Sequence, residues 1–247
     1  MLRSLLGIWT WFAFGLVSII GYFQTLLVLL FIFPFDKNRK WTGRQIRFWG
    51  RCMAGCVPTW KFRCLEPLPQ KLPERTVCVS NHCSNIDPFL LGHLPWEMKF
   101  LAKSILFKIP CVGWGMVLAQ DIPLVRGSHQ SVKVAMRKCA EYVRNGMPVL
   151  IFPEGTRSTN GELLPFKDGA FRLAIEEQAD VLPIAVGGTV GALKRGDWRP
   201  GKAEGLVAVG EPIPTRGLTM KDLNGLKEKV RAAIEEQRAR FPQGSLE

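Results

Sequence analysis

Hydrophobic and polar positions divide the chain into two unequal parts. From Ser4 to Phe35 there are 32 consecutive uncharged residues rich in Leu, Ile, Phe and Trp, whereas beyond residue 60 short apolar runs alternate with amphipathic ones. As a helix the first segment is roughly 48 Å long at about 1.5 Å per residue, enough to cross about 30 Å of hydrocarbon with tilt. Pro34 ends it, and no small-residue cleavage site follows, so it reads as retained rather than as a signal peptide. After a turn at "DKNRK", Trp41 to Val57 reads as a second helix. Arg44, Arg47 and Arg51 fall at helical spacing as a stripe for phosphate headgroups, with Ile46, Trp49 and Met53 facing elsewhere, the pattern of an interfacial helix.

The four prolines of "PTWKFRCLEPLPQKLPER" mark a strand start and a linker, which places a domain boundary near residue 60. Residues 1–60 are then membrane-associating helices and residues 61–247 a second unit. In that unit "TVCVSNH" is a strand, Asp87 to Leu94 starts a helix, and "SHQSVKVAMRKCAEYVRNG" is an amphipathic helix closed by Gly146. "MPVLIFPEG" is a buried strand, "GAFRLAIEEQA" a helix, and "VLPIAVGGTV" and "EGLVAVGEPI" are strands. Leu223, Leu226, Val230 and Ile234 mark one face of a terminal helix, with Thr219 and Asp222 spaced as a capping box. Such alternation argues an α/β sheet with helices packed on it. The last four residues, "GSLE", read as a cloning remnant.

Charge sharpens the division. Lys and Arg outnumber Asp and Glu by 33 to 21, and up to Arg63 there are nine basic residues against the single acid Asp36, which holds two-thirds of the net charge of +12. Because this basic stretch abuts the apolar segment, an anionic lipid surface is the better partner and nucleic acid is disfavoured. Seven cysteines, odd in number and without metal-site spacing, read as small core residues in a reducing compartment.

Candidate chemistry lies where strands end. In "SNHCSNIDPFLLG" His82 closes a strand and Asp87 precedes Pro88, so a folded-back loop would join imidazole and carboxylate, at the sheet edge where α/β proteins bind ligands. A carboxylate on one ring nitrogen fixes the tautomer and leaves the other to take a proton from a hydroxyl. The plainer reading is a helix start, with Asp at the N-cap and Pro at the first helical position. Cys83 beside His82 is poorly placed as a nucleophile, since neighbours on an extended chain point apart, and no Gly-x-Ser-x-Gly elbow surrounds Ser80. In "IFPEGTRS", Gly155 allows close backbone approach, the Thr156 hydroxyl and nearby N–H groups can meet anionic oxygens, and Arg157 offers a bidentate fork. No Gly-Lys-Ser/Thr follows, which disfavours a nucleoside triphosphate, and a strand-ending turn with a surface ion pair is the alternative. Lys103 and Arg126 are two further cations between these clusters.

Four blocks in order, Asn81-His82-x4-Asp87, "IPLVR" ending at Arg126, Phe152 to Arg157, and "VLPIAV" around Pro183, resemble the glycerolipid acyltransferases, and among them the bacterial 1-acylglycerol-3-phosphate acyltransferases. The resemblance covers roughly residues 60 to 215. It implies a mixed sheet flanked by helices and preceded by a two-helix membrane motif. It also implies His82 as general base and Asp87 as its orienting partner, with Glu154, Gly155, Thr156, Arg157 and Arg126 holding the acceptor's phosphate; Lys103, which belongs to none of the four blocks, joins the substrate-binding candidates only because it lies between the two clusters. "DIPLVR" departs from the family's usual Gly-x-x-Phe-Ile-x-Arg. The implied reaction moves an acyl group from acyl-CoA or acyl carrier protein to the sn-2 hydroxyl of lysophosphatidate, without metal or redox cofactor. A different acceptor such as glycerol-3-phosphate, a lipid hydrolase and a lipid-binding scaffold are the rival readings. The basic residues between 37 and 51 put the catalytic unit on the cytoplasmic side of the inner membrane. The resemblance favours a monotopic arrangement, with Trp9, Trp11, Trp41 and Trp49 near the interface.

Overall fold

Apolar runs rich in Val, Ile and Leu, bounded by Gly, Pro and polar positions, become seven strands in the computed structural model, which describes residues 2–194 and 196–242; the terminal "GSLE" lies outside them. The strands are β1 (Trp60–Cys64), β2 (Thr76–Ser80), β3 (Lys99–Lys103), β4 (Ile122–Leu124), β5 (Val149–Ile151), β6 (Asp180–Gly187) and β7 (Ala203–Val209). They form one sheet in the order β1-β7-β6-β2-β5-β3-β4. Every pairing is parallel except that of β6 with β7, so the sheet is mixed, with β1 and β7 running against the other five.

Successive residues of a strand point to opposite faces, and here both faces are covered. Val77, Val79, Val149, Ile151, Val181 and Ala185 pack on one side against α5 (His129–Arg144), α6 (Gly169–Glu176) and α7 (Leu223–Ala239). Cys78, Leu150, Leu182, Ile184 and Val186 pack on the other against α3 (Asp87–Leu91) and the segment after it. Double burial is why these strands read as continuous apolar runs rather than as alternating ones. Ser128 caps α5, its hydroxyl accepting from the Ser131 N–H at 3.2 Å, and Gly146 leaves the helix at φ +71°. The Thr219–Asp222 capping box forms as expected, but on a 3-10 turn, Met220–Asp222, that leads into α7. Neither β3 nor α4 (Val112–Leu118) was legible in the sequence. At the start of α4, Gly113 lies on the Leu106–Phe107 backbone and Gly115 faces Ile46, close packing that a side chain at either place would disturb.

α1 (Leu2–Ile32) ends two residues before Pro34, as the steric demand of proline on its predecessor requires. It is long and apolar enough to cross a membrane, with a mean hydropathy of 2.2 over its most apolar 18 residues and only 17% of that window buried. Its pattern inverts that of a water-soluble helix: Gly7, Thr10, Ala13, Gly21 and Thr25 face inward, while Leu5, Ile8, Phe12, Leu16, Phe23, Leu27 and Leu30 face outward. Small inward residues let neighbouring groups approach closely. Trp49 of α2 (Lys40–Gly55) lies against Gly21 and donates its indole N–H to Gln24 Oε1 at 2.9 Å. Trp49 is therefore a joint between helices, not an interfacial anchor. Phe14, Met53, Ala54, Val57, Trp60, Ile86, Ala192 and Ala203 form a third core that fastens both helices to the sheet unit.

The expected arginine stripe on α2 is not what forms. Arg47 turns inward, its guanidinium donating to Asp121 Oδ2 at 2.9 Å and to Met98 O at 3.2 Å, with Glu97 at 3.6 Å and the Phe100 ring centroid 3.9 Å below. Arg44 donates to Pro95 O at 3.1 Å, and only Arg51 stays free for a headgroup among the three. The carboxylates that draw Arg47 inward are 50 and 74 residues away, so helical spacing could not reveal them. Gly43 leaves room for Glu97, whose carboxylate would overlap any Cβ at that position. Burial pushes the Glu97 carboxyl up to about 7 against the downward pull of Arg47. Replacing Arg47 by Met strands two buried carboxylates and should destabilise the protein by about 3–5 kcal/mol. Arg51→Met should cost less than about 0.5 kcal/mol. Thermal and denaturant unfolding in detergent will distinguish the two, and equal, small losses would show that the buried pair carries no net stability.

Candidate active site

β2, β3, β4, β5 and β6 run the same way, so the loops after them gather at one sheet edge. Asn81 makes the first departure from the sheet: its Oδ1 accepts from Val186 N–H at 2.8 Å and its Nδ2 donates to Val186 O at 2.9 Å, extending strand pairing through a side chain. His82 follows, held by its backbone on both sides. Its N–H donates to Glu154 Oε1 at 3.0 Å, and its carbonyl accepts from Ser158 N–H at 2.8 Å. Phe152 stacks under the imidazole with ring centroids 4.1 Å apart and 19° between planes.

The ring's Nδ1 lies 2.6 Å from Asp87 Oδ2. That same oxygen accepts from the backbone N–H groups of Cys83 at 2.7 Å and Ser84 at 2.8 Å. The other, Oδ1, accepts from the Thr189 hydroxyl at 2.5 Å. Asp87 is fully buried and the His82 side chain is 12% exposed. With Nδ1–H committed to the carboxylate, the lone pair sits on Nε2, the nitrogen left for a substrate proton. The helix-start reading fails on the same geometry, because the residue at the N-cap of α3 is Ile86 and the Asp87 carboxylate serves the loop instead. The helix still starts here, at Asp87, with Pro88 as its second residue. Ser80 is buried and donates to Asn81 O, and burial pushes the Cys83 thiol up to about 12, which disarms it as a nucleophile.

Glu154 was expected beside a phosphate, but its carboxylate is 4% exposed and occupied by backbone donors, the N–H of His82 on one oxygen and that of Leu164 at 3.3 Å on the other. It braces the histidine loop. Burial raises its pKa, opposed by those two N–H groups. Gly155 takes φ +67°, a conformation that other residues adopt only with strain. Thr156 is exposed and Arg157 half-buried on the same turn. Lys103 ends β3 and Arg126 follows β4 by two residues, both exposed. At about 4.8 Å per strand, the backbone at the end of β3 lies roughly 10 Å and that at the end of β4 roughly 15 Å across the sheet from β2, which puts Lys103 and Arg126 on the same sheet edge as His82. Thr189 was missed; its one signal is a hydroxyl directly after the Gly-Gly that ends β6, opposite β2.

Residues 61–187, half of the chain, match the family model described as acyltransferase. The chain belongs to that acyltransferase family. The matched span begins in β1 and ends with β6, so it contains every candidate site residue named from sequence and stops two short of Thr189. Among curated relatives, a 1-acyl-sn-glycerol-3-phosphate acyltransferase of Chlamydomonas reinhardtii is 31% identical, covering 90% of this chain and 67% of its own. A chloroplastic one of Arabidopsis thaliana is 33% identical over 85% and 58%, and the human beta form is 35% identical over 67% and 61%. The chain thus spans between half and two-thirds of the length of such relatives. The crystal structure of the 1-acyl-sn-glycerophosphate acyltransferase from Thermotoga maritima superposes with a TM-score of 0.76 at 25% identity, covering 98% of this acyltransferase and 100% of that chain. A likeness of that extent includes α1 and α2 as well as the sheet.

Glu154→Ala should leave the His82 and Leu164 N–H groups without their acceptor, at a cost of about 1–3 kcal/mol. Glu154→Gln keeps one acceptor oxygen and should lose less. Melting temperatures of the two variants check the order, and a wild-type value for Glu154→Ala would mean that the brace carries no stability.

Proposed function

We propose that this acyltransferase moves a fatty acyl group from a thioester, on CoA or acyl carrier protein, to the sn-2 hydroxyl of lysophosphatidate, forming phosphatidate. The observation that carries the reading is the His82–Asp87 pair itself: a tautomer fixed by a buried carboxylate, a partly open Nε2, and no competent nucleophile beside it. His82 takes the hydroxyl proton as the substrate oxygen attacks the thioester carbonyl; the C–S bond then breaks, and the leaving thiolate receives that proton from the imidazolium. Asp87 supports the imidazolium while its charge exists. Gly155, Thr156 and Arg157, with Lys103 and Arg126 on the same edge, supply the positive side for the acceptor's phosphate. The names of the relatives support lysophosphatidate as that acceptor.

Purified protein should release free thiol from acyl-CoA or acyl carrier protein only when lysophosphatidate is present. Release without any acceptor would indicate a hydrolase, and release only with glycerol-3-phosphate a different acceptor. His82→Ala and Asp87→Ala should each lower kcat by on the order of 100-fold or more. The double variant should lose far less than the product of the two, because the residues act as a unit.

The chain's seat on the membrane follows from where α1 is fastened. Arg3 pairs with Asp197 at 3.3 Å, Trp11 donates to Trp198 O at 2.7 Å, Phe14 meets Trp60 and Phe89, and Tyr22 meets Trp114. From Arg3 to Gln24 the helix lies along the rest of the molecule for roughly 32 Å, so a span that carried Arg3 to the far face would break these contacts. The outward Leu, Ile and Phe side chains suit one leaflet of a bilayer. These contacts support the monotopic arrangement we propose, with the catalytic unit on the cytoplasmic side. A cysteine at exposed Leu2 should react with an impermeant thiol reagent from the cytoplasmic side, above the background of the parent protein. Reaction only from the outside would establish a span.

A further inference from the structure

Lys167 belongs to no motif, yet it folds onto the Gly155 turn. Phe166 before it is buried and stacks on Phe171 with centroids 6.1 Å apart, and α6 starts two residues later at Gly169. Between these fixed points the Lys167 N–H donates to Pro153 O at 2.9 Å, which ties its backbone to the start of the turn. The side chain then lies across Gly155. A Cβ built on that glycine would fall 2.6 Å from Lys167 Nζ, 3.0 Å from Cε and 3.3 Å from Cδ.

Lys167 is exposed. Its neighbour Asp168 is engaged elsewhere, accepting from Lys227 Nζ at 2.9 Å. Among the described residues neither Lys167 nor Arg157 forms an ion pair; Lys167 lies across Gly155, and Arg157 follows that glycine by two residues on the same turn. A phosphate monoester carries a charge of roughly −1.5 to −2 at neutral pH, which two such cations would balance. The His82 backbone is bonded to Glu154 and Ser158, the two ends of this turn, so an anion held here stays beside the reacting hydroxyl.

We infer that Lys167 binds the phosphate of the acceptor, crossing Gly155 to meet it together with Arg157. The inference rests on the reading of the protein as acting on a phosphate-bearing acceptor and adds a residue to that site. Gly155 then has two reasons to be glycine: its positive φ and the passage of the ammonium.

The test is a set of steady-state titrations on the full-length protein in detergent micelles, with lysophosphatidate varied at fixed acyl donor and then the reverse. Lys167→Met should raise KM for lysophosphatidate by roughly 10- to 100-fold, the scale of one charge-assisted hydrogen bond. KM for the acyl donor should change less than about 2-fold, and the melting temperature should hold. Lys167→Arg should restore most of the loss, since it keeps the charge and reach. An unchanged KM for lysophosphatidate overturns the inference, as does an equal rise for both substrates with a lowered melting temperature, or equal loss of turnover in the Met and Arg variants. If wild-type protein uses only another phosphate-bearing acceptor, the acceptor assignment fails while the same titrations with that acceptor still decide Lys167. Wild-type thiol release that needs no acceptor overturns both.

Discussion

Everything at the candidate site hangs on the Asp87 carboxylate. Four donors reach it: an imidazole, two backbone N–H groups of its own loop and a hydroxyl from beyond β6, 102 residues away. A buried carboxylate is costly unless such donors satisfy it, so its burial forces the loop from Asn81 to Asp87 to curl around it. That curl sets the imidazole tautomer and aims the other ring nitrogen outward. The carboxylate therefore organises the loop before it assists any proton transfer.

A second carboxylate does comparable work from the opposite strand. Glu154 reaches across from the end of β5 to the His82 N–H, and Ser158 closes the ring of contacts by donating to the His82 carbonyl. Two loops that meet only because β2 and β5 are parallel neighbours are thus stitched through one residue's backbone. The cations on the outer side of the 154–158 turn inherit a fixed distance from the histidine, which is what an enzyme needs if binding one end of a substrate is to position the other.

The same logic joins α1 and α2 to the sheet. Arg47 of α2 bonds Asp121 before β4 and pairs at 3.6 Å with Glu97 before β3, and α1 lies along the assembly through Gly7, Thr10, Ala13, Phe14, Gly21, Thr25 and Leu29. Most of its other large apolar side chains are left exposed.

Much was legible without coordinates, and for a definite reason: local patterns report local physics. Continuous Val and Ile runs announced β2, β5 and β6 because both faces of a mostly parallel sheet are buried, and helical periodicity announced α5 and α7. The apolar stretch before Pro34, and the proximity of His82 to Asp87 and of Glu154 to Arg157, could be read because each lies within a few residues of chain. β3 and α4 escaped because "KFLAK" and "VGWGMVL" are too short for either period to register. Long-range chemistry escaped altogether. Arg47 looked like a headgroup ligand until Glu97 and Asp121 drew it inward, Glu154 looked like part of an anion site until two backbone donors took its oxygens, Thr189 had only the preceding Gly-Gly to mark it, and Lys167 had no pattern at all. By itself the sequence determined which segments fold and which residue types stand at the strand ends; only the tertiary structure decided which of them meet. Burial and hydrogen bonding give each polar group its role through partners, and most of those partners are dozens of residues away.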